Sequence, residues 1–353
     1  MIKRRLGRTN LMVSIIGFGA IKLPQVDLET STKVLNRALD LGMNFIDTAR
    51  SYGDSEEKIG FALSGRRDEF YLSTKTHALT YDDAVKDIER SLKSLRTDYI
   101  DIYMCHNPNH PSKFEKVMSP NGPLKALKEA KSKGIIGHIG FSCHRYHETM
   151  EKGIRSGEFD VIMIAYNLLN DELLDERILS LAKEMDVGVI AMKPLAGGFL
   201  AAPPAALANK SKIPINAETA LRFILSNDAI ATAIPGMMRV EEVEENARIG
   251  ENFLSMSEEE KRMLMEVAGS LGKEFCRGCG YCQPCPQGIL IPIILRHLTY
   301  YKYYDMREWA KGRYRMVEVK ADSCLKCGQC VEKCPYNLNI PEMLAEAHHL
   351  LSQ

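Results

Sequence analysis

SIIGFGAIKLP, residues 14–24, is an apolar run with two glycines separated by one residue. Ser14–Ala20, rich in isoleucine and phenylalanine, reads as a strand, and the residues after it decide between two α/β architectures. An open, doubly wound sheet that binds a dinucleotide carries Gly-x-Gly-x-x-Gly here and opens a helix with it. In this chain Gly17-Phe18-Gly19 has no third glycine, and Ile21-Lys22-Leu23-Pro24 leads away from a helix. Seven more β-rich runs come later: Asn44–Ala49, Phe70–Thr76, Tyr99–His106, Ile135–Ser142, Val161–Asn167, Val187–Lys193 and Ala229–Ile234. Amphipathic stretches such as Thr32–Leu41, Tyr81–Leu95 and Leu174–Met185 lie between them. Glu29-Thr30-Ser31 supplies capping chemistry before the first of these, and Gly42 stops it. Eight strand–helix units over roughly 240 residues have the period of a (β/α)₈ TIM barrel, typically about 250 residues long. The reading is an α/β protein with that barrel over residues 1–265 and a smaller domain over 266–353.

Composition limits the partners. Lys and Arg number 46, as do Asp and Glu, so the formal charge is zero. Nucleic acid and anionic membranes recruit a basic excess, and neither is expected. No apolar run reaches the ~18 residues of a spanning helix. Arg4-Arg5 is followed by no apolar segment or small-residue cleavage site, which assigns the chain to the cytoplasm. Eight of the ten cysteines fall between Cys276 and Cys334. Such clustering in a long, unexported chain points to metal or redox chemistry rather than disulfides. Cys105 and Cys143 stand apart and read as small buried apolar side chains.

In a (β/α)₈ barrel the catalytic groups sit at the C-terminal ends of the strands. Asp47, Lys75 and His106 occupy those ends on strands two, three and four, with Tyr52 in the loop after Asp47. Singly, each has an ordinary reading: a cap, a solvated loop residue, a satisfied polar group, a packing ring. Together they place four complementary groups at one mouth. Lys75 follows an apolar strand, where a cation is costly to bury unless paired, and Asp47 is the obvious partner.

GMNFIDTARSYGDSEEKIG (42–60) resembles the signature of the aldo/keto reductases, and STKT (73–76) and MCHN (104–107) are similar to that family's lysine and histidine strands. The resemblance implies that Asp47, Tyr52, Lys75 and His106 form a catalytic tetrad. It also implies hydride transfer between NADP(H) and a small carbonyl or alcohol substrate. Hydride delivery to a carbonyl carbon leaves charge on oxygen that a positioned acid must neutralise. Lys75 is expected to lower the Tyr52 pKa, and His106 to orient the substrate oxygen. IPGMMRVEEVEEN (234–246) resembles the family's adenosine-phosphate loop, which implies Arg239 at the 2′-phosphate and Glu245 and Asn246 at the adenine. GFSCH (140–144) keeps the family's nicotinamide serine, Ser142. Three positions depart from the pattern: Cys143 replaces a common asparagine, Met163 a frequent glutamine and Met192 a frequent stacking tyrosine.

The cysteines form two runs. CLKCGQCVEKCP holds Cys324, Cys327, Cys330 and Cys334 with the spacing of bacterial ferredoxins, and CRGCGYCQPCP holds Cys276, Cys279, Cys282 and Cys285 with a shortened last gap. In two-cluster ferredoxins the Cys-Pro thiolate serves the neighbouring cluster. On that pattern one [4Fe–4S] cluster takes Cys276, Cys279, Cys282 and Cys334, and the other takes Cys324, Cys327, Cys330 and Cys285. Two structural zinc sites would leave the middle cysteine of each run and the prolines unexplained. Ile291-Pro292 and Ile340-Pro341 recur after the runs, each preceding a helical stretch. The segment is thus a helical, ferredoxin-like two-cluster domain, and the whole chain resembles the iron–sulfur-bearing branch of the family. An aromatic stretch between the runs, HLTYYKYYDMREWAKGRYRM (297–316), is read as packing surface. Hydride moves two electrons and a cubane one, and no flavin signature joins them. The alternative reading is therefore an electron-transfer or redox-sensing module that binds nicotinamide and passes electrons to a partner protein.

Overall fold

The computed structural model describes residues 1–108, 111–144, 146–169, 174–198, 200–201, 213–271, 276, 282–303, 306–334 and 338–353. The chain divides into two compact units, one holding Met1–Ala201 with Asn216–Ser257, the other built chiefly from Glu258–Gln353.

The first unit is the expected barrel. Its strands are β3 (Phe18–Gly19), β4 (Phe45–Asp47), β5 (Tyr71–Thr76), β6 (Ile100–Cys105), β7 (Ile136–Cys143), β8 (Val161–Ala165), β9 (Gly188–Met192) and β10 (Ile230–Ile234). They pair in parallel in chain order. Closure comes from Gly17 N–H donating to the Ala233 carbonyl, and Ala233 N–H to that of Ile15, both at 2.9 Å. Each strand overlaps one of the β-rich runs of the sequence; in the first run Phe18–Gly19 pairs with β4, while Ile16 bridges Ala233 of β10 on the other side. That segment is wedged between its two neighbours: a Cβ on Gly19 would lie 2.7 Å from the Ile234 carbonyl oxygen, and one on Gly17 3.0 Å from that of Phe45. Glycine is needed there for close approach, not for phosphate.

Ahead of the barrel, β1 (Lys3–Arg5) and β2 (Met12–Ser14) form an antiparallel hairpin that the sequence reading did not foresee. Its arginines act as fasteners. Arg4 donates to the Leu225 and Ile230 carbonyls at 2.7 and 2.9 Å, satisfying the end of the helix Ala217–Leu225. Phe45, Ile102, Met104, Met163, Ile190 and Met192 from β4, β6, β8 and β9 pack together in one buried cluster that fills the barrel. Around it, the helix Leu28–Asp40 buries Val34, Leu35, Ala38 and Leu39. Its cap is Asp27, which accepts from Thr30 N–H at 2.7 Å, two residues before the expected capping group begins. Tyr81–Leu95 is helical over the expected residues, capped by Thr80. Leu174–Met185 begins as a widened turn over Leu174–Leu179 before Ser180–Glu184 continues as α-helix.

The second unit is helical. Ile291–Tyr303, Arg307–Arg315 and Ile340–Leu351 surround a core of Ile294, Leu295, Leu298, Ala310, Leu344 and Leu351. Both Ile-Pro pairs start helices, as the repeat implies. Tyr314, from the aromatic stretch, is spent inside this unit. It is 1% exposed, and its hydroxyl accepts from Ala321 N–H at 2.9 Å. No helix among the described residues is long and apolar enough to cross a membrane.

Candidate active site

Asp47 ends β4, Lys75 lies near the end of β5, His106 directly follows β6, and Tyr52 lies in the loop after β4. Lys75 and Asp47 are 1% and 2% exposed, so the pair is fully out of water. Lys75 Nζ donates to both Asp47 carboxylate oxygens at 2.7 Å and to the Thr48 carbonyl at 2.6 Å, while the Ser73 hydroxyl donates to Asp47 Oδ1 at 3.0 Å. Burial pushes the Asp47 carboxyl up, and Lys75 and Ser73 pull it back.

Tyr52 is half-buried, its ring centroid 5.1 Å from Lys75 Nζ. Burial raises its phenol above the ordinary value; the Lys75 ammonium opposes this and the Asp47 carboxylate adds to it. Lys75 acts downward as expected, but burial outweighs it and the net direction is upward. An ammonium already neutralised by Asp47 offers a phenolate less than desolvation takes away.

His106 stacks on His77 with centroids 3.9 Å apart and meets the Tyr52 ring edge-on at 5.8 Å. Burial, then the charges of Lys75, His77 and His144, depress the imidazole to about 2, so it is neutral at physiological pH. The Ser51 hydroxyl lies 3.5 Å from His106 Nδ1.

The Tyr52 loop is held by residues that the sequence reading passed over. Ser55 donates to the Ala20 carbonyl at 3.0 Å, and Lys58 Nζ to those of Leu23 and Val26 at 3.0 and 2.7 Å. Glu56, 1% exposed, accepts from Thr74 Oγ1 at 2.6 Å and pairs with Arg50. The signal was present: Glu56, Ile59 and Leu63 share one helical face, and a carboxylate on an apolar face needs a partner.

Ser142 is fully buried in β7 and accepts from Asn107 N–H at 2.9 Å. Met163, its register partner on β8, and Met192 on β9 both lie in the barrel's apolar interior. Arg239 precedes the helix Val240–Glu251 with its side chain 69% exposed. Its guanidinium is engaged by Glu242 Oε1 at 3.0 Å, while Glu242 Oε2 accepts from Met238 N–H at 2.8 Å. Glu245 is exposed and Asn246 is buried.

In the second unit, Cys282, Cys285, Cys324, Cys327 and Cys330 line a recess of about 100 Å³. Burial pushes the Cys330 thiol up, and its neighbours Cys324, Cys327 and Cys285 add to the effect. Among the described residues no three His, Cys, Asp or Glu side chains converge as a single ion would require; these thiols ring a space instead. Cys276 is half-buried and Cys334 is 8% exposed, while Cys279 lies outside the described residues.

The sequence matches the Aldo/keto reductase family over residues 15–204. The chain belongs to the aldo/keto reductase family. A second match, to a 4Fe-4S dicluster domain, covers residues 275–339. This aldo/keto reductase is 27% identical over 304 residues to the oxidoreductase YqkF of Bacillus subtilis, spanning 75% of this chain and 95% of that one. It is 32% identical over 278 residues to L-galactose dehydrogenase of Arabidopsis thaliana, spanning 69% and 86%. Among solved structures, the holo form of the aldo-keto reductase AKR11C1 from Bacillus halodurans superposes with a TM-score of 0.67 at 26% identity, covering 76% of this chain and 96% of that one. Within the family frame, this reductase combines a buried lysine–aspartate pair at the barrel mouth with thioethers on the two strands that come after β7.

Proposed function

We propose that this aldo/keto reductase moves a hydride between NADP(H) and a small carbonyl or alcohol in the cytoplasm, with Tyr52 as acid and base. The observation that carries the reading is the buried Lys75–Asp47 pair beneath the Tyr52 ring, with a neutral His106 beside it. A dihydronicotinamide held there would supply the hydride to the carbonyl carbon. Tyr52 Oη then gives its proton to the substrate oxygen and recovers one from solvent; oxidation runs in reverse. With His106 Nδ1 accepting from Ser51, Nε2 carries the proton and donates it in a hydrogen bond to the same oxygen. Lys75 stabilises the transient phenolate, and Asp47 keeps Lys75 charged.

The chain's residues fit the cofactor. Ser142, buried at the end of β7, accepts from Asn107 N–H and keeps its own hydroxyl hydrogen for a carboxamide oxygen. At the other end, Arg239 has the fork geometry for a 2′-phosphate, with Glu245 and Asn246 toward the adenine. The phosphate has to take the guanidinium from Glu242, so the contact is modest. Arg239→Ala is expected to weaken NADP(H) binding about tenfold while leaving NAD(H) unchanged. Titration calorimetry with both nicotinamides checks this, and equal losses refute the phosphate role.

For the thiols we propose two [4Fe–4S] clusters in the crossed arrangement, Cys285 with Cys324, Cys327 and Cys330, and Cys334 with Cys276, Cys279 and Cys282; the recess lined by Cys285, Cys324, Cys327 and Cys330 supports the first set. Cys285→Ser and Cys324→Ser are expected each to remove about half of the iron, and the double variant no more than either alone. Cys276→Ser with Cys285→Ser is expected to remove nearly all of it. Iron analysis and cluster absorbance distinguish the cases; additive losses from the first pair would separate Cys285 from that set.

The functional test is NADPH oxidation by anaerobic, cluster-replete protein against aldehydes, ketones and, given the L-galactose dehydrogenase relative, sugars. A second reading, electron transfer through the clusters to a partner protein, draws on the exposed Cys327 at the recess. NADPH added without substrate would then bleach the clusters and produce a reduced-cluster resonance. No change would leave hydride transfer as the barrel's chemistry.

A further inference from the structure

The neighbourhood of Ser142 is short of polar partners. Cys143 follows it, and Met163 and Met192, on the next two strands, turn thioethers into the barrel interior. A primary carboxamide offers one acceptor and two N–H donors, and thiols and thioethers are weak partners for those donors. One side chain here has the opposite need. Asn107 Oδ1 is buried and has no hydrogen-bond partner among the described residues. Asn107 directly follows His106 and holds a left-handed backbone, φ 58°, a conformation that asparagine tolerates better than most residues. That turn delivers its N–H to Ser142 Oγ at 2.9 Å, linking the ends of β6 and β7. A buried amide oxygen without a partner is costly, so its persistence points to a ligand that completes it.

We infer that Asn107 Oδ1 accepts a hydrogen bond from the carboxamide N–H of the nicotinamide, while Ser142 serves the carboxamide oxygen. The inference rests on the proposed nicotinamide site. It assigns to the residue after the tetrad histidine the contact that Cys143 and Met163 cannot make. The two groups act together: the Asn107 backbone orients the Ser142 hydroxyl, and the Asn107 side chain holds the amide. Held at both ends of its carboxamide, a nicotinamide would lose rotational freedom at the site.

Binding, not turnover, tests this. Asn107→Gly keeps the left-handed backbone and removes the side chain; Asn107→Asp keeps an acceptor. Calorimetric titration would use three probes: NADP⁺, its 3-acetylpyridine analogue, whose methyl ketone lacks the N–H donor, and 2′-phospho-ADP-ribose, which lacks the ring. Asn107→Gly is expected to weaken NADP⁺ about tenfold and to leave the other two unchanged, while Asn107→Asp stays within about threefold of wild type. Three results overturn the inference: no loss for NADP⁺, an equal loss for the acetylpyridine analogue, or a loss for the ring-free fragment, which would mark a distorted loop. An unchanged NADP⁺ affinity with a raised substrate KM would place Asn107 at the substrate instead. If wild type binds the ring-free fragment as tightly as NADP⁺, or binds neither, the nicotinamide site itself fails, independently of Asn107.

Discussion

Tyr52→Phe is expected to lower carbonyl reduction by about 10²- to 10⁴-fold while NADP(H) binding stays near wild type. The phenylalanine keeps the half-buried ring beside Lys75 and against His106, so the cavity and its packing survive. What disappears is the one group near the Lys75 ammonium that can both give and regain a proton. His106 cannot replace it, because burial and neighbouring positive charge hold its imidazole neutral and make it a poor acid. The Tyr52 phenol, raised above its ordinary value by burial, also fixes the pH dependence. Reduction needs the phenol and should be level through neutral pH, falling only in the alkaline range. Oxidation needs the phenolate and should rise with pH over that range. Steady-state rates in both directions, with calorimetric cofactor binding, check the prediction. A Tyr52→Phe enzyme with unchanged kcat/KM would remove Tyr52 from the chemistry.

Lys75→Met is expected to destabilise the barrel by about 3–5 kcal/mol, the cost of stranding a buried charge. The methionine fills most of the lysine's volume, so the loss is electrostatic. Asp47 keeps only the Ser73 hydroxyl, in a site 2% exposed. It escapes by taking up a proton, which gives the variant a signature in pH. In the variant the folded-state Asp47 pKa lies above the unfolded value, so between the two the folded chain binds more protons than the unfolded one. Stability therefore falls as pH rises through that window and recovers toward acid. Lys75→Met with Asp47→Asn removes both charges and should regain most of the stability without regaining activity. Urea denaturation across pH separates these outcomes. A Lys75→Met protein as stable as wild type, with no slope in pH, would show the pair to be weakly coupled.

Much of the fold is legible in the chain itself. The eight strands appear as β-rich runs at regular intervals because a parallel strand buried on both faces must be apolar along its length. Tyr81–Leu95 was delimited correctly because Thr80 and the periodic face are local signals. The four mouth residues stood out together, because each alone has an ordinary reading while four complementary groups at one mouth do not. The cysteine spacing was legible because ligand geometry is imposed on consecutive residues.

Other features depend on which distant segments meet. The β1–β2 hairpin was missed because its strands are three residues each and the first is wholly basic, and Arg4 there satisfies carbonyls some 220 residues away. Gly17 and Gly19 serve close approach, because the first barrel strand is squeezed between the second and the eighth. Glu56 drew no notice until Thr74 and Arg50 closed around it.

The sequence by itself determined the barrel, the helical cysteine-bearing segment and the identity of the mouth residues, since periodicity, caps and ligand spacing are short-range properties of a chain. Only the tertiary structure decided the balance of energies at the mouth. There burial outweighs Lys75 at Tyr52, Glu242 already occupies Arg239, and Asn107 Oδ1 finds no partner among the described residues. Desolvation and hydrogen-bond satisfaction are sums over every neighbour a group acquires, and those neighbours exist only once the barrel has closed.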